Sequence, residues 1–99
     1  MRLGLDQQQA IQRAVCEVFG PDARVRLFGS RLDDDAKGGD IDLLVEVNEP
    51  IDVPAELAAR LSVKVMRACN GRKVDVVLAA PNLEVMPIHE IARRQGVLL

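Results

Sequence analysis

Two aspartates, Asp40 and Asp42, stand one residue apart at the head of an otherwise apolar run, Asp40-Ile41-Asp42-Leu43-Leu44-Val45. The run alternates as a strand does, with Ile41, Leu43, Val45 and Val47 on one side and Asp40, Asp42, Leu44 and Glu46 on the other. In an extended strand the two carboxylates point the same way, with Cα atoms about 6.5–7 Å apart. Such a pair repels by roughly 2.4 kcal/mol at an effective dielectric of 20, and by only about 0.6 kcal/mol when fully solvated. It is therefore either exposed and inert or half-buried and ready for cations. An earlier apolar run leads into it: Leu27-Phe28 ends in Gly29-Ser30-Arg31, and an eight-residue polar link, 32–39, returns through Gly38-Gly39.

The remaining pattern interleaves helices with strands. Asp6 and Gln9 form a capping-box-like start, and Ala10, Ile11, Ala14, Val15, Val18 and Phe19 recur at helical spacing up to Gly20-Pro21, so a core-facing helix is expected there. Arg24-Val25-Arg26-Leu27-Phe28 reads as a strand with one wet face, and Asp33-Asp34-Asp35 as a solvated loop or the first turn of a short helix. After Asn48-Glu49-Pro50, Pro54 introduces a second amphipathic helix through Leu57, Ala58, Leu61, Val65, Met66 and Ala68, closed by Asn70-Gly71 in left-handed backbone. Lys73 to Leu78 is a β-branched strand with a single acid, Asp75. Pro87 through Gln95 reads as a last helix capped by Gly96, with Val97-Leu98-Leu99 as a final short strand. His89, with Glu90 beside it and Arg93 one turn on, is expected on the helix surface. The fold class that follows is α/β, a small mixed sheet flanked by helices in one domain spanning 1–99.

Composition narrows the partners. Phe19 and Phe28 are the only aromatics, which disfavours stacking on single-stranded bases. A formal charge of −2, with Arg60, Lys64, Arg67, Arg72 and Lys73 as the one basic cluster, argues against a dedicated nucleic-acid surface. Cys16 and Cys69 have no second Cys or His at ligand spacing and are expected as buried reduced thiols. No signal peptide is expected at Met1-Arg2-Leu3, and no apolar run approaches the ~20 residues of a membrane span, so the cytoplasm is the expected location. A domain this small has little surface for a bulky substrate, which points to a partner protein or an oligomer.

A strand ending in Gly-Ser and turning onward offers backbone N–H groups and a hydroxyl to an anion, with glycine permitting close approach. Alone this is an ordinary turn. Joined to Asp40-x-Asp42 on the next strand it becomes a phosphate cradle facing a cation cage, which Asp75 would complete if its strand lies beside the second. Three aspartates can serve two Mg²⁺ ions when a nucleotide supplies the remaining oxygens.

Gly29-Ser30, Asp40-Ile41-Asp42 and the isolated Asp75 in Lys73-Val74-Asp75-Val76-Val77 resemble the nucleotidyltransferase superfamily of DNA polymerase β, and more closely its smallest members, the minimal nucleotidyltransferase (MNT) proteins. The likeness runs from about Arg24 to Leu78, and the closing Ile91 to Leu99 also looks like MNT tails. Many MNT proteins have a glycine shortly after Gly-Ser-Arg and a serine before the first aspartate, where this chain has Asp33 to Asp35 and Gly39. The resemblance implies a polymerase β-like fold and transfer of a nucleoside monophosphate, AMP from ATP, to a hydroxyl with release of pyrophosphate. It implies that Ser30 and the Gly29 to Arg31 backbone hold the terminal phosphates, and that Asp40 and Asp42 bridge two Mg²⁺ ions. Asp75 would then bind the ion beside the attacking hydroxyl. MNT proteins are antitoxins bound to helical HEPN-domain toxins, typically RNases, and some add AMP to a tyrosine of the toxin. Three alternatives stay open: neutralisation of a HEPN RNase by binding alone, nucleotidyl transfer to a small molecule, or an α/β domain whose acids coincide by chance.

Overall fold

The computed structural model describes residues 4–29 and 41–99. The elements in chain order are α1 (Leu5–Phe19), β1 (Arg24–Phe28), β2 (Ile41–Glu46), α2 (Pro54–Ala68), β3 (Val74–Ala79), α3 (Pro87–Gln95) and β4 (Val97–Leu98). They build the expected mixed sheet in the order β3-β2-β1-β4. β1 runs antiparallel to β2 and to β4, while β2 and β3 are parallel and joined by α2 as the crossover that parallel neighbours need. Ser30, Arg31, the acidic stretch Asp33 to Asp35 and Asp40 lie outside the described residues.

The alternation in β2 sorts its side chains as the sequence predicts. Ile41, Leu43 and Val45 are fully buried against Ile11 and Val15 of α1 and Leu61 and Val65 of α2. Each such side chain contributes about 1.5–3 kcal/mol on burial, which makes this layer the main source of cohesion. On the opposite face Leu44 and Phe28 pack on Ala92 of α3. The sheet is thus covered on both sides, by α1 and α2 on one and by α3 on the other.

That second cover changes the character of β1. The face carrying Arg24, Arg26 and Phe28, expected to be wet, lies partly under α3, and Phe28 is buried. Arg26 is accommodated there by an ion pair, its Nε 2.8 Å from Glu46 Oε1, while Arg93 of α3 reaches Glu46 Oε2 at 3.0 Å. One carboxylate therefore ties β1, β2 and α3 together. Partial burial works to raise the Glu46 pKa, but the hydrogen bonds and charges of Arg26 and Arg93 outweigh it and hold the group below its ordinary 4.5.

His89 is a second anchor and departs from expectation, being buried rather than on the helix surface. The Met86 N–H donates to its Nδ1 (2.8 Å), so Nε2 carries the proton and donates to the Leu78 carbonyl at the edge of β3 (2.8 Å). The His89 N–H returns a bond to the Met86 carbonyl, and the first turn of α3 is closed by its own side chain. A surface reading followed the charged neighbours. What it missed is that His89 and Ala92, three apart, form the buried stripe of α3.

Smaller differences concern ends and thiols. α1 begins at Leu5 with Gly4 as its cap, and Asp6 sits in the first turn rather than capping. β3 is displaced by one residue, Val74–Ala79 instead of Lys73 to Leu78. Cys69 is buried as expected, whereas Cys16 is exposed on α1. Asn70 (φ 60°) and Gly71 (φ 79°) adopt the left-handed backbone that their sequence suggests. No helix among the described residues is long and apolar enough to cross a membrane.

Because the folded Glu46 pKa is depressed, its contribution to stability is present above the ordinary value and is lost as pH falls through the depressed one. Glu46→Gln is expected to lower stability by about 1–2 kcal/mol at neutral pH, with the gap to the wild type closing below pH 4.5. Urea unfolding at several pH values checks this, and a gap that persists unchanged into acid would refute it. His89→Ala orphans the Met86 N–H and the Leu78 carbonyl and is expected to cost about 2–4 kcal/mol in the same measurement. A loss under about 0.5 kcal/mol would show that neither bond matters.

Candidate active site

β2 and β3 align in parallel with Asp42 directly opposite Asp75, which places both carboxylates on one face, on strands roughly 4.8 Å apart. Phe28 at the end of β1 is opposite Asp42 on the other side, and Gly29 follows it. Phe28, Asp42 and Asp75 thus form a row across three strands, with Gly29 just beyond the end of β1 against Asp42. It stands at the end of the sheet where β1 finishes and β2 and β3 begin.

Gly29 is required here twice over. Its φ of 78° is left-handed, and a Cβ on it would run into the Asp42 carboxylate. The absence of a side chain is the room in which that carboxylate sits. Asp75 keeps a side chain 48% exposed, within reach of solvent and of a ligand. Lys73, two residues earlier and so on the same face of β3, brings its Nζ to 4.0 Å from Asp75 Oδ1. At 71% exposure that lysine offsets the local charge only weakly. The sequence reading placed Lys73 in a basic surface cluster, although its period-two relation to Asp75 already put it on the site's face.

Of the six residues expected at the site, then, Gly29, Asp42 and Asp75 come together. Ser30 and Arg31, which follow Gly29 in the chain, and Asp40, which precedes Ile41, lie outside the described residues. Among the described residues no group of three or more His, Cys, Asp or Glu converges to hold a metal; Asp42 and Asp75 make a pair. Glu46, on the same face, is about 13 Å further along β2 and is committed to Arg26 and Arg93.

A cleft of about 240 Å³ lies at the other end of the sheet, lined by Glu46, Val47, Ala79, Pro81, Glu84, His89 and Arg93. Three of its polar side chains are already engaged, Glu46 with Arg93 and His89 with the Leu78 carbonyl. The two aspartates are the better candidates for chemistry: paired acids, partly open, beside a glycine shaped around one of them.

A family model described as a nucleotidyltransferase domain matches residues 9–96, nearly the whole chain and all of the row just described. The chain belongs to the nucleotidyltransferase domain family. No curated protein matches it. Membership makes nucleotidyl transfer the reaction class, and the small mixed sheet with its three helices is consistent with the fold of that family. In this nucleotidyltransferase domain the acids stand at the amino ends of the two parallel strands, and α3 packs on the same face through Ala92, which rests on Phe28 and Leu44.

Gly29→Ala is expected to destabilise the domain by about 1 kcal/mol more than Gly71→Ala. Both glycines have nearly the same positive φ, but nothing lies within 4 Å of a Cβ built at Gly71. The difference measured by urea unfolding therefore isolates the contact with Asp42. Equal losses would show that the carboxylate simply moves aside.

Proposed function

We propose that this nucleotidyltransferase is an MNT-type antitoxin that transfers AMP from ATP to a hydroxyl of a partner HEPN toxin in the cytoplasm. The observation that carries the catalytic part is the cross-strand alignment of Asp42 with Asp75 beside Gly29. The partner and the antitoxin role rest on the resemblance carried by Gly29-Ser30, Asp40-x-Asp42 and Asp75.

The donor set fits Mg²⁺, a hard cation that takes one or two carboxylates and completes its octahedron with water and substrate phosphate. Asp42 and Asp75 supply such oxygens from neighbouring strands, and Asp40, two residues from Asp42, is the third donor in this reading. Bound Mg²⁺ supplies neutralisation of charge on the α-phosphate and acidification of the acceptor hydroxyl.

The protein's own part is positioning and proton handling. In this reading Ser30 and the Gly29 to Arg31 backbone would hold the terminal phosphates, so that the bond from the α-phosphorus to its leaving oxygen lies in line with the acceptor. The acceptor oxygen bonds to the α-phosphorus as that bond breaks and pyrophosphate departs. Asp75, whose side chain is 48% exposed, takes the hydroxyl proton in this reading.

The test is incubation of the purified domain with its HEPN partner and Mg-ATP, read by intact mass. The expected result is a gain of one or more AMP groups on the partner. Asp42→Asn is expected to reduce transfer by on the order of 10²–10³-fold or more, while changing stability by less than about 1 kcal/mol because it relieves repulsion between neighbouring carboxylates. A partner whose mass never changes, yet whose RNase activity the complex still blocks, would favour neutralisation by binding alone. Transfer surviving in Asp42→Asn would refute the assignment of this acid.

A further inference from the structure

The path of α3 over the sheet says more about the acid corner. Its first turn sits at the carboxyl end of β3, where His89 bonds the Leu78 carbonyl. Its last turn sits over β1, where a Cβ on Gly96 would meet the Leu27 carbonyl and the chain enters β4 opposite Leu27. Between them Ala92 rests on Leu44 and Phe28. The helix therefore crosses the face obliquely and leaves two corners. Arg93 fills the one at the carboxyl end of β2 through Glu46, and the other holds Asp42 and Asp75.

Arg93 also fixes the helix rotation. At about 100° per residue, Ile88, Ile91 and Gln95 fall within a ~60° arc on the side of α3 opposite Arg93, the flank turned away from the Glu46 corner. Ile88 and Ile91 remain 39% and 44% exposed, and Gln95 is exposed as well. Leu44, directly beneath the helix, is one strand repeat, about 6.5–7 Å, from Asp42.

We infer that this flank of α3 is the base subsite, with adenine packed on Ile88 and Ile91 and its hydrogen-bonding edge read by the Gln95 amide. The inference rests on the reading of Asp42 and Asp75 as the triphosphate and metal end of the same site. The chemistry of that flank suits a base: it is apolar, and it carries at its end an amide whose paired donor and acceptor match adenine N6 and N7. With Phe28 buried in the sheet and Phe19 packed against the other core, the base is held by aliphatic contact rather than ring stacking.

The experiment compares binding of Mg-ATP and of Mg-tripolyphosphate, which lacks a nucleoside, by calorimetry on the wild type, Ile91→Ser and Gln95→Leu, with melting temperatures as the folding control. The wild type should bind ATP more tightly than tripolyphosphate. Ile91→Ser should weaken ATP by about five- to tenfold and leave tripolyphosphate unchanged. Gln95→Leu should narrow the preference for ATP over CTP. Equal wild-type affinity for ATP and tripolyphosphate, or an Ile91→Ser effect that is absent or the same for both ligands, overturns the base subsite while leaving the acid corner as a phosphate site. Binding of neither ligand overturns both readings together.

Discussion

The register of β2 is the constraint on which both the core and the site depend. Its residues Ile41, Leu43, Leu44 and Val45 are wholly buried, and the strand is paired on both sides. Side chains alternate with period two, so a slip of one residue would drive Asp42 and Glu46 into the layer now filled by Leu43 and Val45. Burying a carboxylate without a partner costs several kcal/mol, and burying two would exceed the net stability of most domains this size. The alternation that makes the core dry is therefore the same fact that sets Asp42 opposite Asp75 and next to Gly29.

α3 is held differently. It contributes little apolar burial, essentially Ala92 and the ring of His89, and relies on polar anchors. These are the two-arginine clasp on Glu46 and the histidine bridge from Met86 to Leu78. Hydrogen bonds depend on angle as well as distance, so such anchors fix the rotation of a short helix more tightly than a greasy contact would. The outcome is a short helix whose rotation on the sheet is set by polar contacts.

Much of this was legible in the chain. Strand alternation in β2, the proline start and Asn70-Gly71 stop of α2, and the isolated Asp75 in a β-branched run each follow from local rules and reappear in the fold. The alignment of Asp42 with Asp75 was legible only as a condition, since it requires β3 to be parallel to β2 and unshifted. What the sequence concealed were facts created by tertiary packing. Arg26 looked like a wet-face residue because nothing local says that a helix will cover it. His89 looked superficial because its partners, Leu78 and Met86, contribute backbone atoms that carry no sequence signature. Cys16 erred the other way: its helix is amphipathic, but it falls just outside the buried stripe of Ile11, Ala14 and Val15.

The crossover between β2 and β3 carries one more implication. Asp42 and Asp75 are 33 positions apart and become neighbours only when α2 has folded back and the parallel pairing has zipped. An unfolded or half-assembled chain offers the two carboxylates as separate, weak sites. A ligand that needs both at once discriminates between those states, and its occupancy and the folded population become one linked equilibrium. The pair would then act as a checkpoint on its own assembly, silent until the two parallel strands have closed on each other.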